Sequence, residues 1–412
     1  MNKEIIEKIY VVLFSLIPIS IIFGSAISLI NILLISFVCL THLISTKNFG
    51  FTKKPTFLIL VLIYFYLIFN SFVSINFQSG IYRNFGFIRF ILLFLAINYF
   101  FYNFNRFDKV FKIWFIIILV VVIDSFIEFI FGRNILGYGE VIYGNRIVSF
   151  FYDEPIVGAY LSGFVFIIAG YLFKNFHEKK QTIKVSILLI LLLFLLCVFI
   201  TGERSNAIKI FFGFFLFFYL NRNITFKVKF FCTIIFISLA SFILTNSEYL
   251  KHRYGGQLFN VINTKEKRTV FYQKNVYFKL YRSGIEVFKN YPTFGVGNKN
   301  YRIETCAISK NNKNYYCQTH PHQVYIEFLA EHGLLGTSVF LILIFYLIFK
   351  NFKIYLNSQN FIQLGSFIYL LTNFLPLLPS GSFFTDFNSS LFWINFSLMY
   401  ACNKKTNFFQ SK

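Results

Sequence analysis

The sequence predicts an all-α, polytopic helical membrane protein, and three observations carry that reading. Of 412 residues, 57% are hydrophobic and 14% are charged, where an ordinary soluble domain has about a quarter charged. The apolar residues fall in blocks of about 15 to 22, the length a helix needs to cross a hydrocarbon core of about 30 Å. Lys and Arg collect in alternate connections between the blocks, as the positive-inside rule requires. With 39 basic and 17 acidic side chains, the chain cannot cover a soluble surface of this size. A soluble globular domain, a disordered tail and a disulfide scaffold are excluded.

Twelve spans are expected, at about 9–24, 26–45, 56–75, 85–103, 111–131, 155–173, 185–201, 206–220, 230–247, 334–350, 361–379 and 389–402. The stretch 9–45 is nearly continuous and breaks only around Gly24-Ser25. Residues 1–8 carry two Lys and two Glu, and the apolar run after them lacks a small-residue cleavage site leading into a polar domain, so it reads as a span and not a removed leader. Basic residues then mark one side: Lys47, Lys53 and Lys54; Arg106, Lys109 and Lys112; Lys174, Lys179, Lys180 and Lys184; Arg222, Lys227 and Lys229; Lys350 and Lys353; Lys404 and Lys405. That side is expected to be cytoplasmic, with both termini inside. The chain thus reads as a single transmembrane domain over 1–412, with a long periplasmic loop, 246–333, inserted between spans 9 and 10.

The net charge of +22 would suggest nucleic acid in a soluble protein. Here most of it flanks spans, and no nucleic acid partner is expected. From Asn246 to His322 the long loop holds nine Lys, four Arg and four Glu. Long translocated loops escape the positive-inside rule, and a basic one beside the bilayer suits an anionic ligand or membrane lipid headgroups. Within it, Tyr277, Tyr281, Ile285 and Phe288 recur at helical spacing, so 275–290 reads as an amphipathic helix ending at Asn290-Tyr291-Pro292. Phe294-Gly295-Val296-Gly297-Asn298 reads as a tight turn needing positive φ. Cys39, Cys197, Cys232 and Cys402 belong to apolar spans. Cys306 and Cys317 lie in the polar loop and are expected to form a disulfide on an oxidising side.

Three outer features hold residues that can do chemistry. His320-Pro321-His322-Gln323 opens the tenth span region. The spacing and Pro321 predict an extended backbone, and no further ligands give a metal site. A neutral imidazole is better used as a general base toward a hydroxyl, the plainer reading being a loop-to-helix hydrogen bond. Thr201-Gly202-Glu203-Arg204-Ser205-Asn206 is a short hairpin between two spans, where unpaired charges are costly. Glu203 and Arg204 either pair with each other, or Arg204 lines an aqueous cleft and grips an anion. Arg282, on the amphipathic helix, is a second anion candidate, since guanidinium fits phosphate bidentately. Arg146 precedes Asp153-Glu154-Pro155, where the acids suit a helix N-terminus or can bind sugar hydroxyls. Arg83, Asp124 and Glu128 lie near span ends, and Arg89 is expected to snorkel from the fourth span. No D-x-D occurs and the first outer turn has no acid, which argues against a metal-dependent glycosyltransferase.

In this order the residues resemble the O-antigen ligase/polymerase superfamily of bacterial envelope glycosyltransferases. The parts are Gly202-Glu203-Arg204-Ser205 between spans, Arg282 ahead of Tyr291-Pro292-Thr293-Phe294-Gly295-Val296-Gly297, then His322-Gln323-Val324-Tyr325-Ile326-Glu327 and Glu331-His332-Gly333-Leu334-Leu335-Gly336. The family reads His-Asn where this chain has His322-Gln323, a departure that keeps the His. The resemblance implies transfer of a glycan from undecaprenyl diphosphate to an acceptor hydroxyl, on the periplasmic side of the inner membrane, without cofactor or metal. Arg204 and Arg282 take the positions of diphosphate-binding arginines and His322 that of the base. Arg146, Asp153, Glu154, Glu203, His320, Gln323, Gly295 and Gly297 are the expected substrate-contacting set. The layout looks closer to a ligase, whose acceptor is the lipid A–core, than to a polymerase, whose acceptor is another carrier-linked glycan. A lipid-linked glycan transporter is the second alternative; it has no need of the basic outer loop.

Overall fold

A computed structural model describes residues 3–104, 106–139, 146–152, 154–221, 224–256, 275–307, 312–358 and 360–410. Asp153 lies outside the described residues, as does 257–274 of the long loop.

The chain starts with α1 (Lys3–Ser15), α2 (Ile17–Ile22) and α3 (Ser25–Ser45), which turn at Gly24, where φ is +102°. Then come α4 (Pro55–Phe72), α5 (Phe77–Gly86), α6 (Ile88–Asn103), α7 (Phe107–Phe131), α8 (Val157–Leu172), α9 (Gln181–Ile200), α10 (Arg204–Leu220) and α11 (Phe226–Asn246). The outer segment adds the one-turn α12 (Glu248–Leu250), a π-helical turn at Lys251–Gly256, α13 (Val276–Asn290) and α14 (Tyr301–Cys306). The chain closes with α15 (Val324–Phe349), α16 (Phe352–Leu356), α17 (Phe361–Asn373) and α18 (Asp386–Ala401).

Among the described residues, eight helical segments are long and apolar enough to cross a membrane: Lys3–Ile22, Ser25–Ser45, Pro55–Phe72, Phe77–Asn103, Phe107–Phe131, Gln181–Ile200, Phe226–Asn246 and Val324–Phe349. This is the pattern of a multi-pass membrane protein. Four of the twelve expected spans are shorter helices of 13 to 17 residues: α8, α10, α17 and α18. Their composition has a physical cause. α8 and α18 are buried along almost their whole length, so they meet protein and not lipid. Polar groups such as Asn395 and Ser397 then bond within the bundle, to the carbonyls of Gly163 and Trp393.

The core sits where α17 packs on α8 and α18 packs on α6 and α17. Glycines set the closeness: a Cβ on Gly170 would lie 2.4 Å from the backbone of Phe361 and Ile362. Aromatic rings fill the rest, with Phe87, Phe90, Phe392 and Phe396 around Trp393. Tilted and edge-on contacts suit ring quadrupoles. α11 packs on α9 from the outside, with no buried residue among those described.

Several ionisable groups inside the bundle are paired. Arg89 does not snorkel as expected: its Nη2 pairs with Asp386 and its Nη1 donates to the Gly86 carbonyl at 2.8 Å. Asp124 and Glu128, at the outer end of α7, hold the following loop. Glu128 accepts the N–H groups of Val148 and Ser149 at 3.0 and 2.6 Å, and Asp124 accepts from Asn134, Ile135 and Ser149. Unpaired carboxylates here would cost several kcal/mol.

Candidate active site

The site is built on α9, α10, α13 and α15 and on two loops that join them. α9 ends at Ile200, and the turn before α10 needs Gly202 at φ +72°. Glu203 does not pair with Arg204. Its buried carboxylate reaches the N-terminus of α8, accepting from Gly158 N–H at 2.6 Å and Ala159 N–H at 3.1 Å, and also from the Asn206 amide at 2.7 Å. Free N–H groups and the positive end of a helix dipole make that a favourable place for an acid. Burial pushes the Glu203 carboxyl above its usual range, against the pull of Arg146 and these N–H groups. The expected capping of α8 by Glu154 is not made: Glu154 is exposed, and α8 begins at Val157 with no cap from its own side. Arg146 reaches back to the Pro155 carbonyl at 3.1 Å, while its Nε is buried without a partner.

α13 forms over Val276–Asn290 and stops before Pro292 as its sequence requires, but its packed face is not the expected one. Leu280, Ser283, Gly284 and Val287 are buried, while Ile285 is exposed and Tyr277, Tyr281 and Phe288 are half-buried. Small residues win because α13 lies close against α15: a Cβ on Gly284 would lie 2.4 Å from Ile326 and 2.9 Å from Pro321. Ser283 accepts from the Tyr301 hydroxyl at 2.8 Å and from Tyr316 N–H at 3.0 Å. Arg282 falls on the exposed face, one turn from exposed Phe278 and Ile285.

α15 is broken at Gly333, with φ +63° and ψ −169°. The turn 292–297 repairs the break from both sides. Pro292 and Thr293 carbonyls accept Leu334 and Leu335 N–H at 2.7 and 3.2 Å, while Val296 and Gly297 N–H donate to the Ala330 and Glu331 carbonyls at 3.0 and 2.9 Å. Backbone groups freed by a kink must find partners. Gly295 (φ +70°) and Gly297 (φ +95°) therefore serve this repair: a Cβ on Gly295 would lie 2.5 Å from the backbone of Glu331 and His332. Gln323 is the N-cap of α15, its side chain accepting Ile326 N–H at 2.9 Å.

The histidines stand just ahead of that cap. The backbone at His322 is left-handed, φ +55°, and not extended as expected. The swing brings the His320 and His322 rings to 3.9 Å between centroids. Tyr277 of α13 meets His322 edge-on at 6.2 Å. Burial holds the His320 imidazole down to about 3, helped by His322 and Arg83 and opposed by the Ser380 backbone; burial likewise lowers His322. Both rings are neutral at pH 7. Cys306 and Cys317, Cα atoms 4.6 Å apart, form a disulfide that ties α14 to the segment leading into His320.

Residues that sequence reasoning missed complete the surroundings. Ser380 N–H, in the loop between α17 and α18, donates to the His322 carbonyl at 2.9 Å. That loop is held by Glu327, which accepts from the Ser382 hydroxyl and, at 3.1 Å, from Phe383 N–H. Arg83 of α5 donates to Asn298 Oδ1 at 3.3 Å, and its charge reaches His320, Glu327 and Glu331. The only sequence signal was its place in the outer turn, beside Asn84. Among the described residues no three His, Cys, Asp or Glu side chains gather as metal ligands.

His320 and His322 thus meet ahead of α15 against Tyr277, Glu203 and Arg146 lie at the start of α8 beside the hairpin that carries Arg204, Arg282 lies on the exposed face of α13, and Gly295, Gly297 and Gln323 build the scaffold of α15. No curated protein matches the chain. Residues 187–341 match the family model described as O-antigen ligase, a window that runs from α9 to α15 and takes in Arg204, Arg282 and His322. That match supports a likeness of this part of the chain to the O-antigen ligase/polymerase superfamily, whose members are membrane glycosyltransferase-like enzymes acting on a lipid-linked glycan and an acceptor.

Proposed function

We propose that the protein is an O-antigen ligase: it moves a glycan from undecaprenyl diphosphate to a lipid A–core hydroxyl at the periplasmic face of the inner membrane, without a metal. The single observation that carries this is His322 held edge-on against Tyr277 and beside His320, within the matched window that also contains Arg204. A base for a hydroxyl and a cation for a diphosphate are the two groups such a transfer needs.

The acceptor O–H gives its proton to the His322 imidazole as the oxygen attacks the anomeric carbon. The bond from that carbon to the diphosphate oxygen breaks, and the diphosphate leaves with the electron pair. Arg204 and Arg282 neutralise the charge that develops on it; a single displacement inverts the anomeric centre. Arg282 suits this on an exposed helix face beside Phe278 and Ile285, where a lipid headgroup can reach it. His320 packs tilted against His322 and steadies its ring. Arg146, Asp153 and Glu154 are proposed to meet the glycan from the loop ahead of α8, and Glu203 to hold α8 in place beneath them.

Reconstitution with purified carrier-linked glycan and a lipid A–core acceptor tests this directly. Wild type should form product, and His322→Ala should lower the rate by about 10²–10⁴, the usual worth of a general base. Arg204→Ala should lower it by a comparable factor. Near-normal rates in both variants would remove the assigned roles. The polymerase alternative is separated in cells lacking the gene. Lipopolysaccharide without any glycan cap, with carrier-linked polymer accumulating, marks a ligase; lipopolysaccharide capped by single repeats marks a polymerase.

A further inference from the structure

Arg204 has a second arginine at its side that the proposed mechanism leaves unused. Arg253 sits in the π-helical turn Lys251–Gly256. Its Nε donates to the Gly202 carbonyl at 3.1 Å, and its own carbonyl accepts from Arg204 Nη1 at 3.4 Å. Each guanidinium is thus steadied by a carbonyl of the other's segment. Among the described residues neither has a carboxylate partner. Glu203, the adjacent acid, is buried and bonded to Gly158, Ala159 and Asn206, and its charge faces Arg146. Over Gly202 stands Tyr249, whose hydroxyl would lie 2.3 Å from a Cβ there and has no hydrogen-bond partner among the described residues. Burial pushes its phenol up, while the charges of Arg253, Arg146 and Arg204 pull it down.

Two half-buried guanidinium groups side by side repel each other. A fold keeps such a pair where an anion bridges it, and the guanidinium fork matches phosphate oxygens. A phenol O–H adds a donor that costs nothing to redirect when it is otherwise unbonded.

We propose that Arg253 and Tyr249 complete the diphosphate grip with Arg204, making a site for a lipid-linked diphosphate between the α9–α10 hairpin and the turn after α12. This rests on reading the donor as a polyprenyl diphosphate. The same chemistry fits a phospholipid headgroup, and the test separates the two.

Purified protein in nanodiscs is titrated with undecaprenyl diphosphate and with undecaprenyl alcohol, in phosphatidylglycerol and in phosphatidylcholine discs. The expected result is at least tenfold tighter binding of the diphosphate in both discs. Arg253→Gln should lose about tenfold or more of that preference, and Tyr249→Phe about threefold to tenfold, with binding of the alcohol unchanged. Equal loss for alcohol and diphosphate would make Arg253 a purely structural residue and overturn the proposal. Binding that appears only in phosphatidylcholine discs, where no anionic headgroup competes, would assign the site to headgroups and overturn it too. If both variants keep the full preference while Arg204→Gln loses it, this proposal fails and the donor reading stands. If wild type itself shows no preference, the donor reading fails. Should Arg253→Gln not fold, Tyr249→Phe carries the test, since its hydroxyl bonds nothing that holds the fold.

Discussion

His322 shows how one residue's setting decides its chemistry. Between Pro321 and the N-cap Gln323 its backbone turns left-handed, a conformation His adopts at modest cost. Ser380 N–H holds its carbonyl, and burial lowers its imidazole from the ordinary 6.5. The base works in its neutral form, so protonation removes activity as pH falls through the folded-state value. That value is below 6.5, so the half-loss of kcat/KM on acidification should come below pH 6.5. A kcat/KM profile already halved at pH 6.5 or above would take the role from His322. Charges were visible in the sequence but their partners were not. Glu203 stood out as an expensive acid in a short hairpin, yet the groups that satisfy it, Gly158 and Ala159, are 45 and 44 positions away. Arg83 and Arg253 were lost in a general basic excess, where nothing local separates a ligand from a solvated side chain.

At the scale of elements, the turn 292–297 and the broken α15 are one unit, because each satisfies the backbone of the other. Gly295→Ala would place a methyl 2.5 Å from backbone at φ +70°, which should cost roughly 2–5 kcal/mol in left-handed strain and overpacking. Thermal melting in detergent measures this, with Gly50→Ala as the control, since a Cβ there meets nothing within 4 Å. A melting point unchanged by Gly295→Ala would show that the turn does not support α15. The Cys306–Cys317 disulfide closes a sequence separation of 11, worth roughly 2–3 kcal/mol in the chain-entropy model. Replacing both cysteines with Ser should lower the melting point and make the segment before His320 more open to protease; equal protease resistance would count against it. The helix over 276–290, the glycine turn and this disulfide were legible because each has a local signature: period, positive φ, paired cysteines. The packed face of α13 was not. Its aromatic stripe looked like the buried side, but close approach to α15 selects Ser283 and Gly284, and closeness is a property of two elements.

For the whole molecule, the open question of architecture is whether the short helices cross the membrane. α8 has 16 residues, about 24 Å at 1.5 Å per residue, less than the hydrocarbon thickness. Its ends nevertheless meet both ends of the layer that α7 and α9 define. At one end Gly158 and Ala159 bond Glu203, which follows α9; at the other, Lys174 bonds Asp108, in the first turn of α7, at 2.7 and 2.8 Å. Since α7 is 25 residues of apolar helix, a helix that leads from the α9–α10 hairpin back to the start of α7 must traverse the same slab. Burial along its length explains how it does so: protein, not lipid, surrounds it, and no bilayer thinning is needed. Sidedness then follows. With α8 crossing, the basic link after it and the segment before His320 are expected on opposite faces, the basic link cytoplasmic by the positive-inside rule. Single-cysteine probes introduced as Lys179→Cys and Lys313→Cys, in a background with Cys232 and Cys402 replaced, should be labelled from opposite faces by a membrane-impermeant maleimide. Lys313→Cys should react in intact cells, and Lys179→Cys only after the inner membrane is opened. Labelling of both from the outside would mean that α8 turns back within the bilayer and that the count of spans is lower than twelve.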